Sequence, residues 1–314
     1  MAAEKIMKKM YYELKNPVSF GSPGELYKSV KKMIPGVKMS QIKKFLAKQS
    51  VYTLNKNVKT KFKSRKTVVR GLDHQWQADL ISFQSLANYN SGHNYILSVI
   101  DILSRFAWIE PLKRKTGADV VRAFKKIFQE SKRRCLKLQT DLGTEFHNKV
   151  FKKFLNGEKV IHFSSYSDHK CALVERFNRT IQAKIYKAMA VKETSSYLKF
   201  LPDIIESYNS KVHSAHGFAP KSVNKRNQRI VWNILYFDYL KTPVKQSRFK
   251  VGDRVRLAKK KEVFTRSYHA QWTDEIFIIK AIKKTIPITF EIKDQHNEKL
   301  EGSFYENEIV KVLT

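Results

Sequence analysis

Apolar and polar residues alternate along 75–83, where Trp76, Ala78 and Leu80 oppose Gln75, Gln77 and Asp79. A period of two gives a strand with one apolar face and one face carrying an acid. Stretches 94–101 and 105–112 read as two further strands. Asn90-Ser91-Gly92 is a turn signal before the second, and Asp101-Ile102-Leu103-Ser104 lies before the third. The period then becomes helical: Val120, Val121, Phe124, Ile127 and Phe128 share one helix face. A fourth strand is predicted over 134–140, a helix around Val150, Phe151, Phe154 and Leu155, and a short fifth strand over 160–163. Two long helical stretches follow, roughly 172–191 and 195–212. Three consecutive strands and then alternating helix and strand predict an α/β fold over 71–222, a mixed five-stranded sheet flanked by helices.

The flanks have different patterns. Residues 1–54 read as a small helical module broken at Pro17, Gly21, Pro23 and Gly24. Leu26, Tyr27, Val30 and Met33 have helical spacing, and Ser40 is a candidate cap for a helix carrying Ile42, Phe45 and Leu46. The module suits a DNA-binding unit and a plain helical cap equally well. Residues 55–70 hold Lys56, Lys59, Lys61, Lys63, Arg65, Lys66 and Arg70 and no acid, which predicts a basic linker able to track a phosphate backbone. A connector is expected over 223–244. From 245 to 314 the pattern turns to short strands, beginning with Phe249-Lys250-Val251-Gly252-Asp253-Arg254-Val255-Arg256-Leu257, and predicts a small β-barrel.

Composition changes this picture mainly through charge. With 61 Lys and Arg against 28 Asp and Glu, the net charge is +33, a field that favours an anionic partner and makes nucleic acid the first expectation. A membrane surface fits less well, because the basic residues are spread along the chain and no run is long and apolar enough to span a bilayer. Cys135 and Cys171 are the only cysteines and neither belongs to a Cys-x-x-Cys pair, so no zinc site is expected and both read as packing residues. The first residues lack the apolar core of a signal peptide, which predicts an intracellular protein.

The candidate chemistry lies in three carboxylates. Asp79 sits on the polar face of the first strand, Asp141 where the fourth strand runs out, and Glu175 at the opening of a long helix. Gly143 lets the backbone turn beside Asp141. Asn178 and Arg179 follow Glu175 at i+3 and i+4, with Gln182 a turn later, on a face suited to gripping phosphate or base. Hard carboxylate oxygens suit Mg²⁺ or Mn²⁺, and such ions assist in-line displacement at a phosphodiester. Asp101 and Glu145 are competing acids, read as a turn residue and a helix-start residue.

Trp76-Gln77-Ala78-Asp79, Thr140-Asp141-Leu142-Gly143-Thr144-Glu145-Phe146 and Glu175-Arg176-Phe177-Asn178-Arg179-Thr180 together resemble the retroviral-type integrase core of the RNase H-like superfamily, as do Tyr208-Asn209, His213, Gly217 and Pro220. The stretch from Gly21 through Val51-Tyr52-Thr53-Leu54 to Asp73-His74-Gln75-Trp76 is similar to integrases of Maverick/Polinton-type transposons. The resemblance covers most of the chain. It implies a DDE site formed by Asp79, Asp141 and Glu175, with Asn178, Arg179 and Gln182 facing a donor DNA end. Tyr166 and Lys170, in the loop before Glu175, and Arg254 and Arg256, in an SH3-like barrel, would be further DNA contacts. It also implies 3′-end processing and strand transfer, element ends and target DNA as partners, a homo-oligomer, and action in the nucleus of a eukaryotic host. The sequence departs from the retroviral pattern in three respects, one being that Cys171-Ala172 stand where a small-residue hinge usually precedes the acid. The Asp141–Glu175 spacing is slightly short, and residues 1–70 contain no His or Cys, so the His-His-Cys-Cys zinc module is absent. A domesticated, non-catalytic DNA-binding protein and a metal-dependent nuclease are the alternatives. All three acids argue against the first, and the flanking modules against the second. His74 reads as a structural strand-end residue, and His162 and His169 flank the loop before Glu175.

Overall fold

In the computed structural model, residues 2–59, 62–164, 171–244, 246–259 and 270–313 are described. They form two compact units, Lys66–Thr242 and Met1–Arg65 with Pro243–Thr314.

The unit Lys66–Thr242 is built on a mixed sheet in the order β3-β2-β1-β4-β5. Strands β1 (Gln75–Ser82), β2 (Tyr95–Asp101) and β3 (Ala107–Leu112) form an antiparallel meander, while β4 (Lys137–Thr140) and β5 (Ile161–Ser164) add in parallel. The parallel strands need crossovers, supplied by α5 (Gly117–Ser131) and α6 (Lys149–Gly157). Thr116 caps α5 by accepting from Asp119 N (3.2 Å), and Asn148 caps α6 by accepting from Phe151 N (2.9 Å). Trp76, Ala78 and Leu138 pack with Val120, Phe124, Phe128 and Phe151 on one face of the sheet. On the other, Ile81, Ile96 and Ile100 pack against Val174, Phe177, Ile181 and Ile185 of α7 (Ala172–Val191) and against α8 (Leu201–Ser210). The stretch read as a connector contains α9 (Gln228–Lys241), whose Val231, Leu235 and Tyr236 pack on Val69, Ile102 and Leu103.

The other unit joins the two ends of the chain. Helices α1 (Ala2–Tyr12), α2 (Pro23–Met33), α3 (Met39–Ala47) and α4 (Ser50–Asn55) precede a five-stranded antiparallel sheet in the order β10-β6-β7-β8-β9. Its strands are β6 (Arg254–Leu257), β7 (Phe277–Lys283), β8 (Thr289–Lys293), β9 (Phe304–Tyr305) and β10 (Ile309–Lys311). Helix α2 starts with a capping box: Ser22 Oγ accepts from Glu25 N (3.3 Å) and the Glu25 carboxylate accepts from Ser22 N (2.7 Å). Ser40 does not cap α3. That helix begins at Met39 with Lys38 at the cap position, and Gln41 Oε1 accepts from Lys38 N (2.7 Å). No helix among the described residues is long and apolar enough to cross a membrane.

Candidate active site on the central sheet

Parallel pairing of β1 with β4 matches Gln75 to Lys137 and Gln77 to Gln139. Asp79 lies two residues beyond that last pair on β1, and Asp141 two residues beyond it, just past the end of β4. The face that carries Asp79 meets α7, which carries Glu175 in its first turn. Asp79 is half-buried and its pKa is pushed up to about 6, first by burial and then by the charges of Asp141, Glu175 and Glu145, against the opposing Leu80 N–H. Glu145, read as a helix-start residue, instead occupies the turn before α6 and adds its charge to this group.

Each carboxylate is held differently. Asp79 Oδ1 accepts from Leu80 N (2.8 Å), and Asp79 Oδ2 from Asn178 Nδ2 (2.8 Å). Asp141 Oδ1 accepts from Gly143 N (3.0 Å). Glu175 is exposed on α7. Asn178 therefore departs from its expected role as a DNA contact. It is 7% exposed and serves Asp79, because α7 turns that position toward β1. Its Oδ1 is buried without a partner, an acceptor left over beside the acids. Arg179 is exposed and Gln182 half-buried on the same helix. Tyr166 and Lys170 lie outside the described residues, as does His169.

Two polar networks beneath the acids were not legible from the pattern. Gln139 Oε1 accepts from Gln75 Nε2 (2.9 Å) and Gln77 Nε2 (3.0 Å), all three side chains being buried. Gln77 Oε1 in turn accepts from Val174 N (3.2 Å), an N–H of the first turn of α7 that has no partner within the helix. A ladder of amides thus ties β1 and β4 to the turn that carries Glu175. The three buried glutamines in the alternating runs were its only sequence signal. The second network fixes the backbone at Asp141. Thr140 Oγ1 (2.8 Å) and Ser164 Oγ (3.0 Å) both donate to the Asp141 carbonyl. With those protons committed, His162 Nε2 donates to Thr140 Oγ1 (2.9 Å) and His147 Nε2 to Ser164 Oγ (2.7 Å). Burial, helped by His147 and Lys152, lowers the His162 pKa to about 4, so its ring is neutral at pH 7.

Asp101, read as a turn residue, is the fully buried end of β2. It accepts from Ser104 N (2.8 Å), Ser104 Oγ (2.6 Å) and Asp73 N (3.1 Å), and is a structural acid. Burial lowers the pKa of His74, whose Nδ1 is buried without a partner.

In the other unit, Arg254 is exposed at the start of β6. Arg256 corrects the expectation of a DNA contact. It is 5% exposed, its Nη1 donates to the carbonyls of Thr273 (2.8 Å) and Asp274 (2.5 Å), and its Nε donates to Thr53 Oγ1 (3.3 Å). It shares a strand face with exposed Arg254, opposite the core residues Val255 and Leu257, and is buried where it joins β6 to α4.

A metal would find a suitable donor set here. Among the described residues, no three His, Cys, Asp or Glu side chains close around one point. Mg²⁺ does not require that, since it takes one or two carboxylates and fills its shell with water and phosphate oxygen. Burial, and after it the charges of Asp141, Glu175 and Glu145, raise the Asp79 pKa, a penalty on the ionised form that a divalent cation relieves, and the leftover Asn178 Oδ1 is another hard oxygen beside it.

Comparison with known proteins agrees with this architecture. Over 189 residues the chain is 32% identical to the putative uncharacterized transposon-derived protein F54H12.3 of Caenorhabditis elegans, covering 60% of this chain and 63% of that protein. Over 136 residues it is 29% identical to the retrovirus-related Pol polyprotein from transposon 297 of Drosophila melanogaster, covering 43% of this chain and 13% of that one. The chain thus spans less than two thirds of either curated relative. No family model matches it. Its fold is shared with a chain of the simian T-cell lymphotropic virus intasome, solved in complex with PP2A regulatory subunit B56 gamma. The TM-score is 0.61 at 14% identity, over 93% of this chain and 99% of that one. The chain is therefore similar to transposon-derived and retrovirus-related sequences, and has the fold of an intasome chain.

Proposed function

We propose that the chain is the DNA integrase of a transposable element of the Maverick/Polinton kind, with Asp79, Asp141 and Glu175 as its DDE site. What carries this reading is the placement of Asp79 on β1, Asp141 just past β4 and Glu175 in the first turn of α7, with the charges of Asp141 and Glu175 felt at Asp79, within a chain of net charge +33. The intasome-like fold and the transposon-derived relative support it. In end processing, water attacks a phosphodiester near the element end, and the 3′ oxygen of the element leaves with a proton. In strand transfer, that 3′ hydroxyl attacks a target phosphodiester, a new phosphodiester forms, and the target's 3′ oxygen departs. The enzyme forms no covalent bond.

Asp79, Asp141 and Glu175 would hold Mg²⁺ or Mn²⁺, which when bound supplies charge stabilisation for the attacking and leaving oxygens. The chain's own groups do the positioning. Asn178 and the Leu80 N–H fix Asp79, the Gly143 N–H fixes Asp141, and the Gln139–Gln77 ladder fixes the first turn of α7. Arg179 and Gln182 meet the donor strand, with Tyr166, Lys170 and Arg254 as outer DNA contacts, and the C-terminal sheet acts as an SH3-like DNA-binding module. Two element ends must be held at once, so the working form is a homo-oligomer, acting in the nucleus if the host is eukaryotic.

The test is a disintegration assay on a branched oligonucleotide with Mg²⁺ or Mn²⁺. It needs no cognate end sequence. Wild type is expected to resolve the branch, and Asp141→Asn to lose all product while DNA affinity stays within about threefold, since the bound phosphates are gripped elsewhere. Loss of binding in step with activity would sink the metal-ligand role of Asp141. No product from either protein, with binding intact, would favour a domesticated binder.

A further inference from the structure

The unit that joins the chain ends contains a cleft with too many cations. The Leu54 carbonyl accepts from Gln271 N (3.0 Å), the Ala47 carbonyl from Leu313 N (2.9 Å), and the Lys56 carbonyl from Trp272 Nε1 (2.5 Å). Val58 N donates to Gln271 Oε1 (3.1 Å), Arg65 N donates to Tyr305 Oη (3.0 Å), and the rings of Phe62 and Tyr305 lie 5.3 Å apart. The stretches 55–59 and 62–65 of the segment expected to be a basic linker therefore lie against residues of the C-terminal sheet and its loops. Between helices and sheet the first of these stretches borders a cavity of about 470 Å³.

Lys43, Lys56, Lys59 and Arg248 line that cavity, with Tyr52 and Phe249 as aromatic wall. Arg248 pairs with Glu306, and a further lining cation, Lys311, pairs with Asp253 (2.6 Å). Among the described residues, Lys43, Lys56 and Lys59 form no ion pair. Much of Lys56 is open to solvent. Its pKa is nevertheless lowered, first by the partial burial of its ammonium and then by Arg248, Lys59 and Lys43. Like charges gathered in a concave site repel one another and focus a positive potential, which an anion relieves. An exposed lysine on a convex helix, free to spread into solvent, carries no such implication.

We propose that this cleft is a binding site for the phosphodiester backbone of DNA, in which Lys43, Lys56 and Lys59 meet neighbouring phosphates and the aromatic wall meets sugar. The proposal rests on the reading of DNA as partner. It makes the helical module, the start of the basic segment and the C-terminal sheet one composite clamp on a single strand of backbone.

The test compares two variants of the full chain with equal loss of charge. One is Lys43→Gln/Lys56→Gln/Lys59→Gln, and the other carries Lys125→Gln/Lys132→Gln/Lys192→Gln, three exposed positions of the other unit. Binding of a fluorescent duplex is followed by anisotropy across a salt series. The cleft variant is expected to bind at least about tenfold more weakly than the control, with a salt slope shallower by roughly two to three, one increment per lost phosphate contact. Equal affinities and slopes for the two variants would overturn the cleft while leaving DNA as the partner. A wild type that binds no duplex would overturn both. A second measurement on wild type guards against a variant that fails to fold: lysine acetylation read by mass spectrometry. Lys56 is expected to be protected by the duplex and not by inorganic phosphate at the same phosphate concentration. Equal protection by both would mark a free-phosphate site, and protection by neither would mark a solvated surface. Either result overturns the proposal.

Discussion

Asp79 concentrates the conflict that defines the site. An acid whose folded pKa of about 6 lies above its ordinary 3.8 binds extra protons in the folded state between those values, so stability falls as pH rises through that window. The ionised form then costs on the order of 1–3 kcal/mol, allowing for its partial exposure. Asp79→Asn is accordingly expected to melt at a higher temperature than wild type at pH 7.5 without divalent ions, the gain vanishing near pH 4. A variant no more stable than wild type at pH 7.5 would contradict the argument from burial and neighbouring charge. The same penalty on the ionised form predicts what metal does. Mg²⁺ should raise the melting temperature of wild type at pH 7.5, and that increment should shrink as Asp79 protonates below about pH 6. It should be largely absent in Asp79→Asn. A pH-independent increment would assign the metal effect to other groups. His162 works in the opposite sense but stays out of the way, its low pKa keeping the ring neutral at pH 7.

At the scale of elements, the relation of α7 to the sheet matters most, because Glu175 has no anchoring bond of its own among those described above. Its helix is held by apolar packing and by Gln77, which takes the otherwise unmatched Val174 N–H. Gln77→Leu leaves that N–H buried and unpaired, at a cost of about 1–3 kcal/mol. It should also cut disintegration activity by at least tenfold while DNA affinity is unchanged. Gln77→Glu, which retains an acceptor for Val174 N, should recover more of the activity than Leu. Equal activity in the Leu and Glu variants would reduce the ladder to packing. In the other unit, Arg256 plays the corresponding part by joining β6 to α4. Arg256→Met should speed hydrogen exchange at Gln271 and Leu313, whose amides bond across the same junction, and leave the salt slope of DNA binding within experimental error. A slope reduced by about one would return Arg256 to the DNA interface.

For the whole molecule, charge sets the behaviour. A chain at +33 should bind DNA with affinity that drops by roughly 10³-fold or more between 50 and 200 mM salt. A flat response would remove the electrostatic basis of the reading. The two units divide the work that this charge supports: one presents acids on a sheet face, and the other carries a basic cleft made from both ends of the chain.

The sequence alone determined whatever depends on short-range periodicity. Alternation along β1 set Trp76 and Ala78 against Gln77 and Asp79, and the spacing of apolar residues delimited α5 and α7, because a strand or helix face is decided within a few residues. It also offered Asp79, Asp141 and Glu175 as candidates, through their order and the integrase-like motifs around them rather than through any one acid. Tertiary structure decided which polar groups met. Asn178, placed by its spacing beside Arg179, turns to Asp79; Arg256, in a basic strand, is a buried brace; and Glu145 adds its charge to that of the other acids at Asp79. In each case a polar side chain's role depends on its partner, and those partners lie far along the chain: Asp79 for Asn178, Thr53 for Arg256. The joining of the two chain ends was illegible for the same reason. Its hydrogen bonds link residues more than 200 positions apart, and no local pattern encodes a contact at that range.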